Sequence, residues 1–316
     1  MNAIDDHILT AGFFGKLPKF ADFVKFNASG SEISILDYWL QEGLALAKLK
    51  FRNEWKNYYE NTSEINFIYP FTGTDKIILG IICPSNDKSG RSFPFILFGN
   101  VKKDFTNELP VQSFALKFSG VYESFKSIFQ NNFQNDDLSK MKSQLSNFSF
   151  ASSLQNSNSE LYREYLSKNS IEYFFDLQMD NLHEPDKCSL NKLINKNLSY
   201  LENSAAVRIS FESDEQNEIM NLSFCTELML KIFSRYSLFP ALFWKRRKDN
   251  YVVLYLFFQK PTPSNFIDLI YSEQSELKNN DDNFSRKPDS IFKETAMVDI
   301  NISLADLLVS IKDNLN

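Results

Sequence analysis

No glycine occurs after Gly120 in a chain of 316 residues, although nine lie between Gly12 and Gly120. Loops that cradle phosphate need glycine for positive φ and for close approach of the backbone. Neither a Walker loop nor a dinucleotide fingerprint can therefore lie beyond Gly120, and neither pattern occurs before it. Histidine is nearly as scarce, His7 and His183 being the two in the chain. A histidine-based triad or metal triad would have to draw on one of them, and both sit in polar surroundings that favour a solvent or structural role. The three cysteines, Cys83, Cys188 and Cys225, are odd in number, far apart and lack a C-x-x-C arrangement. They read as reduced thiols, not as disulfides or a zinc site.

Long apolar runs are also missing. The longest, Tyr251 to Phe258, has eight residues, whereas a membrane-spanning helix needs about 20. Asp5 and Asp6 stand where a secretory signal would carry positive charge. These features predict a cytoplasmic protein that does not insert into a membrane. The 34 basic and 40 acidic residues leave a net charge of -6, so no overall positive field favours nucleic acid as a partner. No Ser-His-Asp, Cys-His or paired-carboxylate arrangement stands out by spacing. The sequence therefore nominates no catalytic residue, no cofactor and no metal ligand, and the expectation is a protein that is not an enzyme.

What the chain does have is apolar mass: 43% hydrophobic residues, 31 of them phenylalanine, enough for a large core. Leu36, Trp39, Leu40, Gly43, Leu44 and Ala47 recur at helical spacing and predict an amphipathic helix over 34–50. Ile77–Cys83 and Phe93–Gly99 read as strands joined by a loop of turn formers, PSNDKSGRS. Val111, Phe114, Phe118, Tyr122, Phe125 and Phe129 then mark a second helix after Pro110. The stretch from Val121 to Glu184 lacks glycine and proline and reads as helices joined by polar loops.

In the second half, Val207, Ile209 and Phe211 alternate as a strand, and a helix is predicted over 218–235. Leu238–Trp244 and Tyr251–Phe258 look like two strands about a KRRKDN turn, the second strand apolar on both faces as in a sheet covered on both sides. Helices are predicted at Phe266–Tyr271 and over 303–315. The order of elements is not a strict βαβ alternation. It predicts an α+β fold with a mixed, largely antiparallel sheet covered by helices. A single domain over 1–316 is expected, with a polar insertion at about 131–200 and an extra C-terminal helix at about 303–315.

Three blocks carry a family likeness. Gly12–Val24, GFFGKLPKFADFV, resembles the opening signature of the TagF family, an aromatic G-K-L-P element leading to an Asp-Phe pair. DYWLQEGL at Asp37–Leu44 is similar to that family's first helix, and GIICPSNDKSGRSFPF at Gly80–Phe95 resembles its P-S-x-D-x-x-G-R-x-F-P hairpin. A looser likeness covers ALFWK at Ala241–Lys245 and the proline-containing exit after it. Ala21 departs from the family's usual glycine before Asp22, and Asn66–Tyr69 lack its Trp-Arg pair.

The resemblance implies a post-translational negative regulator of a bacterial type VI secretion system, without the fused phosphatase of some relatives. It would work by binding the system's forkhead-associated scaffold protein. It also singles out Lys16, Leu17, Pro18, Asp22 and Phe23, and Asp87, Gly90 and Arg91. For the first group the plain reading is a strand leaving its sheet through a proline turn, and the functional one a partner-binding surface. For the second, loop geometry with Gly90 at positive φ and Arg91 paired to a carboxylate stands against an interface on a loop held by rigid strands. The basic run Lys245–Lys248 reads as a solvated hairpin tip.

Overall fold

The computed structural model describes residues 8–71, 73–102, 113–133, 137–150, 159–170, 178–181, 184–189, 206–232, 239–279 and 302–314. His7 and His183 lie outside them. In chain order the elements are β1 (Ile8–Gly15), β2 (Val24–Phe26), α1 (Ser31–Phe51), α2 (Trp55–Glu60), β3 (Ile65–Pro70), β4 (Lys76–Cys83) and β5 (Phe95–Lys102). There follow α3 (Ser113–Lys117), α4 (Ser119–Phe133), α5 (Leu138–Ser146), α6 (Ser159–Lys168), β6 (Gln178–Asn181), β7 (Glu184–Ser189) and β8 (Ala206–Glu212). The chain closes with α7 (Glu218–Ile232), β9 (Ala241–Arg246), β10 (Tyr251–Phe257), α8 (Pro263–Asn279) and α9 (Leu304–Asn314).

One ten-stranded sheet runs through both halves in the order β2-β1-β5-β4-β3-β9-β10-β8-β6-β7. Every described pair is antiparallel. The join between the halves is β3 against β9, where Phe67 stands opposite Phe243. The fold class is α+β, with helices packed on both faces of the sheet.

The strict period of two along each central strand sorts side chains between two cores. On β4, Ile77, Leu79, Ile81 and Cys83 enter one core, with Leu222, Phe125 and Met141 from α7, α4 and α5. Ile78 and Ile82 enter the other, with Trp39 and Leu40 of α1 and Phe266 of α8. On β10, Val252, Leu254 and Leu256 join the first core and Val253, Tyr255 and Phe257 the second. That is why Tyr251–Phe258 reads as continuously apolar: both faces are covered. Burying each of these side chains contributes about 1.5–3 kcal/mol, so the central strands dominate the stability of the sheet.

The helix over the second face is α1, whose Leu36, Trp39, Leu40, Gly43, Leu44 and Ala47 are all buried. Gly43 lets α8 approach closely, because a Cβ there would meet the Cβ of Phe266 at 2.6 Å. Trp39 fastens the pair: its Nε1–H donates to the carbonyl of Thr262 at 2.8 Å, and its ring meets Phe266 edge-on at 5.6 Å.

Several expectations shift. The stretch read as helices and polar loops holds α4, α5 and α6 but also β6, and β7 follows it. β6 adds to the edge of β8, a backbone pairing that needs no apolar alternation. The basic run is not a solvated tip either. Lys245 is fully buried and Arg247 nearly so, while Arg246 pairs with Glu218 at 2.8 Å and donates to the carbonyl of Ser213 at 2.9 Å. β9 carries its pleat through Arg246, which turns Lys245 toward one core face.

Candidate functional site

The ends of β1, β4, β3 and β9 meet at one edge of the layered structure, since Ile65 pairs with Ile82 and Asn66 with both Ile81 and Trp244. There the segment leaving β1 (16–23) and the connection between β4 and β5 (84–94) lie against each other. They are about 70 residues apart in sequence, and they carry all eight residues singled out above.

Gly15 makes the crossing feasible. It has φ +135, and a Cβ would stand 2.2 Å from the carbonyl oxygen of Pro94, so a side chain is excluded by both backbone conformation and space. Beyond it, Lys16 turns inward and its Nζ reaches Asp87 Oδ2 at 2.9 Å. Leu17 is fully buried in the first core and accepts at its carbonyl a hydrogen bond from Phe20 N–H at 3.0 Å, closing the turn through Pro18.

Asp87 is the hub. It is only 2% exposed. Its Oδ1 accepts from the backbone N–H of Ser89 (2.9 Å), the Ser89 hydroxyl (2.7 Å) and the backbone N–H of Arg91 (2.9 Å). Its Oδ2 takes the Lys16 ammonium and the Nε–H of Arg91, the latter at 2.7 Å. Burial by itself would raise this carboxyl. The hydrogen bonds from Ser89, Lys16 and Arg91 outweigh it and hold the group well below the usual carboxylate range. The loop is further closed by Gly90 N–H donating to Asp87 O at 2.8 Å, with Gly90 at φ +78 and open space around its α-carbon.

Arg91 completes the clasp from outside. Its Nη2–H donates to the carbonyl of Ala21 at 2.7 Å, so one guanidinium joins Asp87 on its own loop to the segment after β1. The Lys88 N–H likewise donates to Phe20 O at 2.9 Å. Beneath, Ser85 Oγ donates to Lys16 O at 2.6 Å, and the buried Tyr59 hydroxyl both donates to Ser85 O (2.9 Å) and accepts from Ser85 N–H (2.8 Å). Burial pushes the Tyr59 phenol upward, which keeps it a neutral donor. Phe23 packs its ring on Phe93 with centroids 4.7 Å apart, and the Lys16 Nζ lies 5.5 Å from its centroid.

The structure thus brings the eight candidates together but divides them. Lys16, Leu17 and Asp87 face inward and hold the fold. Arg91 presents a side chain that is 63% exposed, Phe23 is 47% exposed, and Asp22 and Gly90 are exposed beside them. Pro18 is half-buried at the turn. Sequence reasoning missed Tyr59, Ser85, Lys88 and Ser89. The last three sit inside the PSNDKSGRS block and were accessible to it. Tyr59, on α2, carries no sequence signal for this contact.

Among the described residues no group of three or more His, Cys, Asp or Glu could hold a metal ion. Cys83 and Cys225 are buried thiols whose ionisation is pushed upward by burial, which leaves them unreactive. Cys188 lies on β7. A cavity of about 340 Å³ opens at the opposite end of the sheet between Tyr69, Phe71, Phe239, Phe257 and Phe258, and none of the eight candidates lines it. Among the described residues no helix is long and apolar enough to cross a membrane.

The fold and the clasp define a layered antiparallel α+β protein in which two loops distant in sequence are locked together at one end of the sheet. Residues 12–147, which contain the whole clasp, match the family of the TagF N-terminal domain, Type VI secretion system-associated. The match ends after α5, so β8 to β10, α7 and α8 lie beyond it although β9 and β10 continue the same sheet. No curated protein matches the chain. Among solved structures, that of PA0076 from Pseudomonas aeruginosa PAO1 is similar at 14% identity, with a TM-score of 0.41 over 63% of this chain and 81% of that one.

Proposed function

We propose that this type VI secretion system-associated protein is a non-enzymatic negative regulator that restrains the apparatus after translation by binding its forkhead-associated scaffold protein in the cytoplasm. The observation that carries the reading is the clasp. Its polar groups are consumed in mutual contacts that fix two distant segments, and what they leave at the surface is a rigid Arg91 beside an exposed Phe23. Arginine and aromatic side chains are the types enriched where protein partners bind tightly.

The test is to overproduce the chain in its own host and measure effector secretion against the abundance of the secretion components. Secretion should fall while those components stay constant. Unchanged secretion with a folded, abundant chain would overturn the regulator. Deletion separates it from a structural accessory of the secretion assembly: loss of a regulator raises firing, whereas loss of a part abolishes it.

A further inference from the structure

We infer that the face built by Phe23, Lys88 and Arg91 docks an acidic segment of the partner protein, one that sets a carboxylate beside an apolar side chain. This rests on the binding reading above and adds to it the place of contact and the chemistry of what is bound.

The sign of the partner follows from charge. The chain as a whole carries -6, yet the two clasp segments, 16–23 and 84–93, hold four cationic side chains (Lys16, Lys19, Lys88, Arg91) against two anionic ones (Asp22, Asp87). Lys16 and Asp87 neutralise each other inside the protein. Within these two segments Lys19, Lys88 and Arg91 are exposed, and Asp22 is the exposed carboxylate. A locally positive patch on a negative protein steers and orients an acidic partner and repels a basic one.

The carboxylate and its apolar neighbour follow from geometry. Guanidinium has five N–H donors, and here Nε–H and one Nη2–H are committed to Asp87 and Ala21. Nη1 and the remaining Nη2–H donate to none of the described residues and are left for an incoming carboxylate, the group that arginine's planar fork pairs with best. Because Asp87 and Ala21 already fix the side chain, little rotamer entropy is lost on binding. Phe23 is tied to the same frame: it lies two residues after Ala21, and its ring rests on Phe93, two residues after Arg91. An exposed ring held in place beside a held cation matches a segment that alternates acidic and apolar residues.

The test measures the affinity of the full-length chain for the purified forkhead-associated scaffold at low and high salt. It also measures the melting temperature and the repression of secretion for each variant. Phe23→Ala and the double change Lys19→Glu with Lys88→Glu leave the Asp87 hub intact. Phe23→Ala should weaken binding about thirtyfold, and the double change should slow association about tenfold and flatten its salt dependence, with melting unaltered. Arg91→Lys should lose as much affinity as Arg91→Ala, because an ammonium cannot make the paired contact. Lys260→Glu, at the opposite end of the sheet, should change nothing. If the wild type binds the scaffold and the Phe23 and double variants bind within twofold of it, the docking surface is wrong and the regulator reading stands. If the wild type represses secretion without binding the scaffold, the scaffold is the wrong partner, and the surface is then decided by repression: the Phe23 and double variants must lose it. If it neither binds nor represses, both fall together.

Discussion

Two charged connections project from the same end of the sheet, and they are held in opposite ways. The β4–β5 connection spends Asp87 on Lys16, about 70 residues away in the chain, and Arg91 on Ala21 at a similar separation. In the β9–β10 hairpin, Arg247 pairs with Asp249 only two residues on, at 2.6 Å, and lies over the Tyr251 ring at 5.8 Å. A local pair constrains a turn that the antiparallel strands would close regardless. A long-range pair holds two segments that would otherwise separate, and its buried carboxylate is costly once a partner is lost. Similar residues, Asp with Lys and Arg, therefore carry very different weight at the two loops.

The largest effect should come from the backbone that permits the clasp. Gly15→Val places a side chain against Pro94 at φ +135, and we expect a loss above about 4 kcal/mol, the range reserved for strain and overpacking combined. Thermal denaturation with and without a stabilising co-solvent checks it. A valine variant melting like the wild type would show that the two segments do not cross as tightly as described.

Asp87→Asn comes next and should produce the largest fall in melting temperature of the polar substitutions. It also carries a pH signature. The Asp87 carboxyl is held below its ordinary value of 3.8, so its contribution is fully present above that pH and is lost as the pH falls through the depressed folded-state value. The difference in melting temperature between wild type and Asp87→Asn should stay constant from neutrality down to about pH 4 and narrow only below it. A difference that already shrinks near pH 6 would contradict the geometry.

Gly90→Val should cost about 1–2 kcal/mol, from φ alone, since nothing crowds its α-carbon. The gap between Gly15 and Gly90 separates close approach from backbone conformation as the reason for glycine. Smallest of all, Asp249→Asn should change stability by about 1 kcal/mol, because the carboxylate is 44% exposed and an asparagine oxygen can still accept from the nearly buried Arg247. If Asp249→Asn destabilises as much as Asp87→Asn by thermal melting, the contrast between the two loops collapses.

Much of this was legible before the structure. The helical repeat of Leu36 to Ala47 and the two-faced apolar strand at Tyr251–Phe258 report burial directly, and both elements stand where the pattern put them. The lettering of the two clasp blocks also pointed to residues that the fold brings together, and to the positive φ of Gly90, because turn chemistry is a local property. β3 was passed over: INFIYP is six residues long with an asparagine and a proline, too short and irregular for a period to emerge. β6 and β7, QMDN and EPDKCS, have no apolar alternation at all. β6 becomes a strand because the open edge of β8 offers backbone hydrogen bonds, and β7 pairs in turn with β6.

What the sequence by itself determined is the fold class and the loops worth following: an α+β core of alternating apolar strands, no glycine-rich phosphate-loop motif, and two loops with a family likeness. Those properties are set by neighbours within a few residues, where steric and hydrophobic preferences act. What only the tertiary structure decided is the role of each residue in those loops. Lys16 is inward and Arg91 outward, although both are cations bonded to the same carboxylate. Lys245 is buried in a run of letters that looks solvated. Tyr59 holds Ser85 from a helix with no sequence link to it. Such roles depend on which strand ends the sheet order brings together, and a chain folded into a ten-stranded sheet makes that choice through pairings across its whole length.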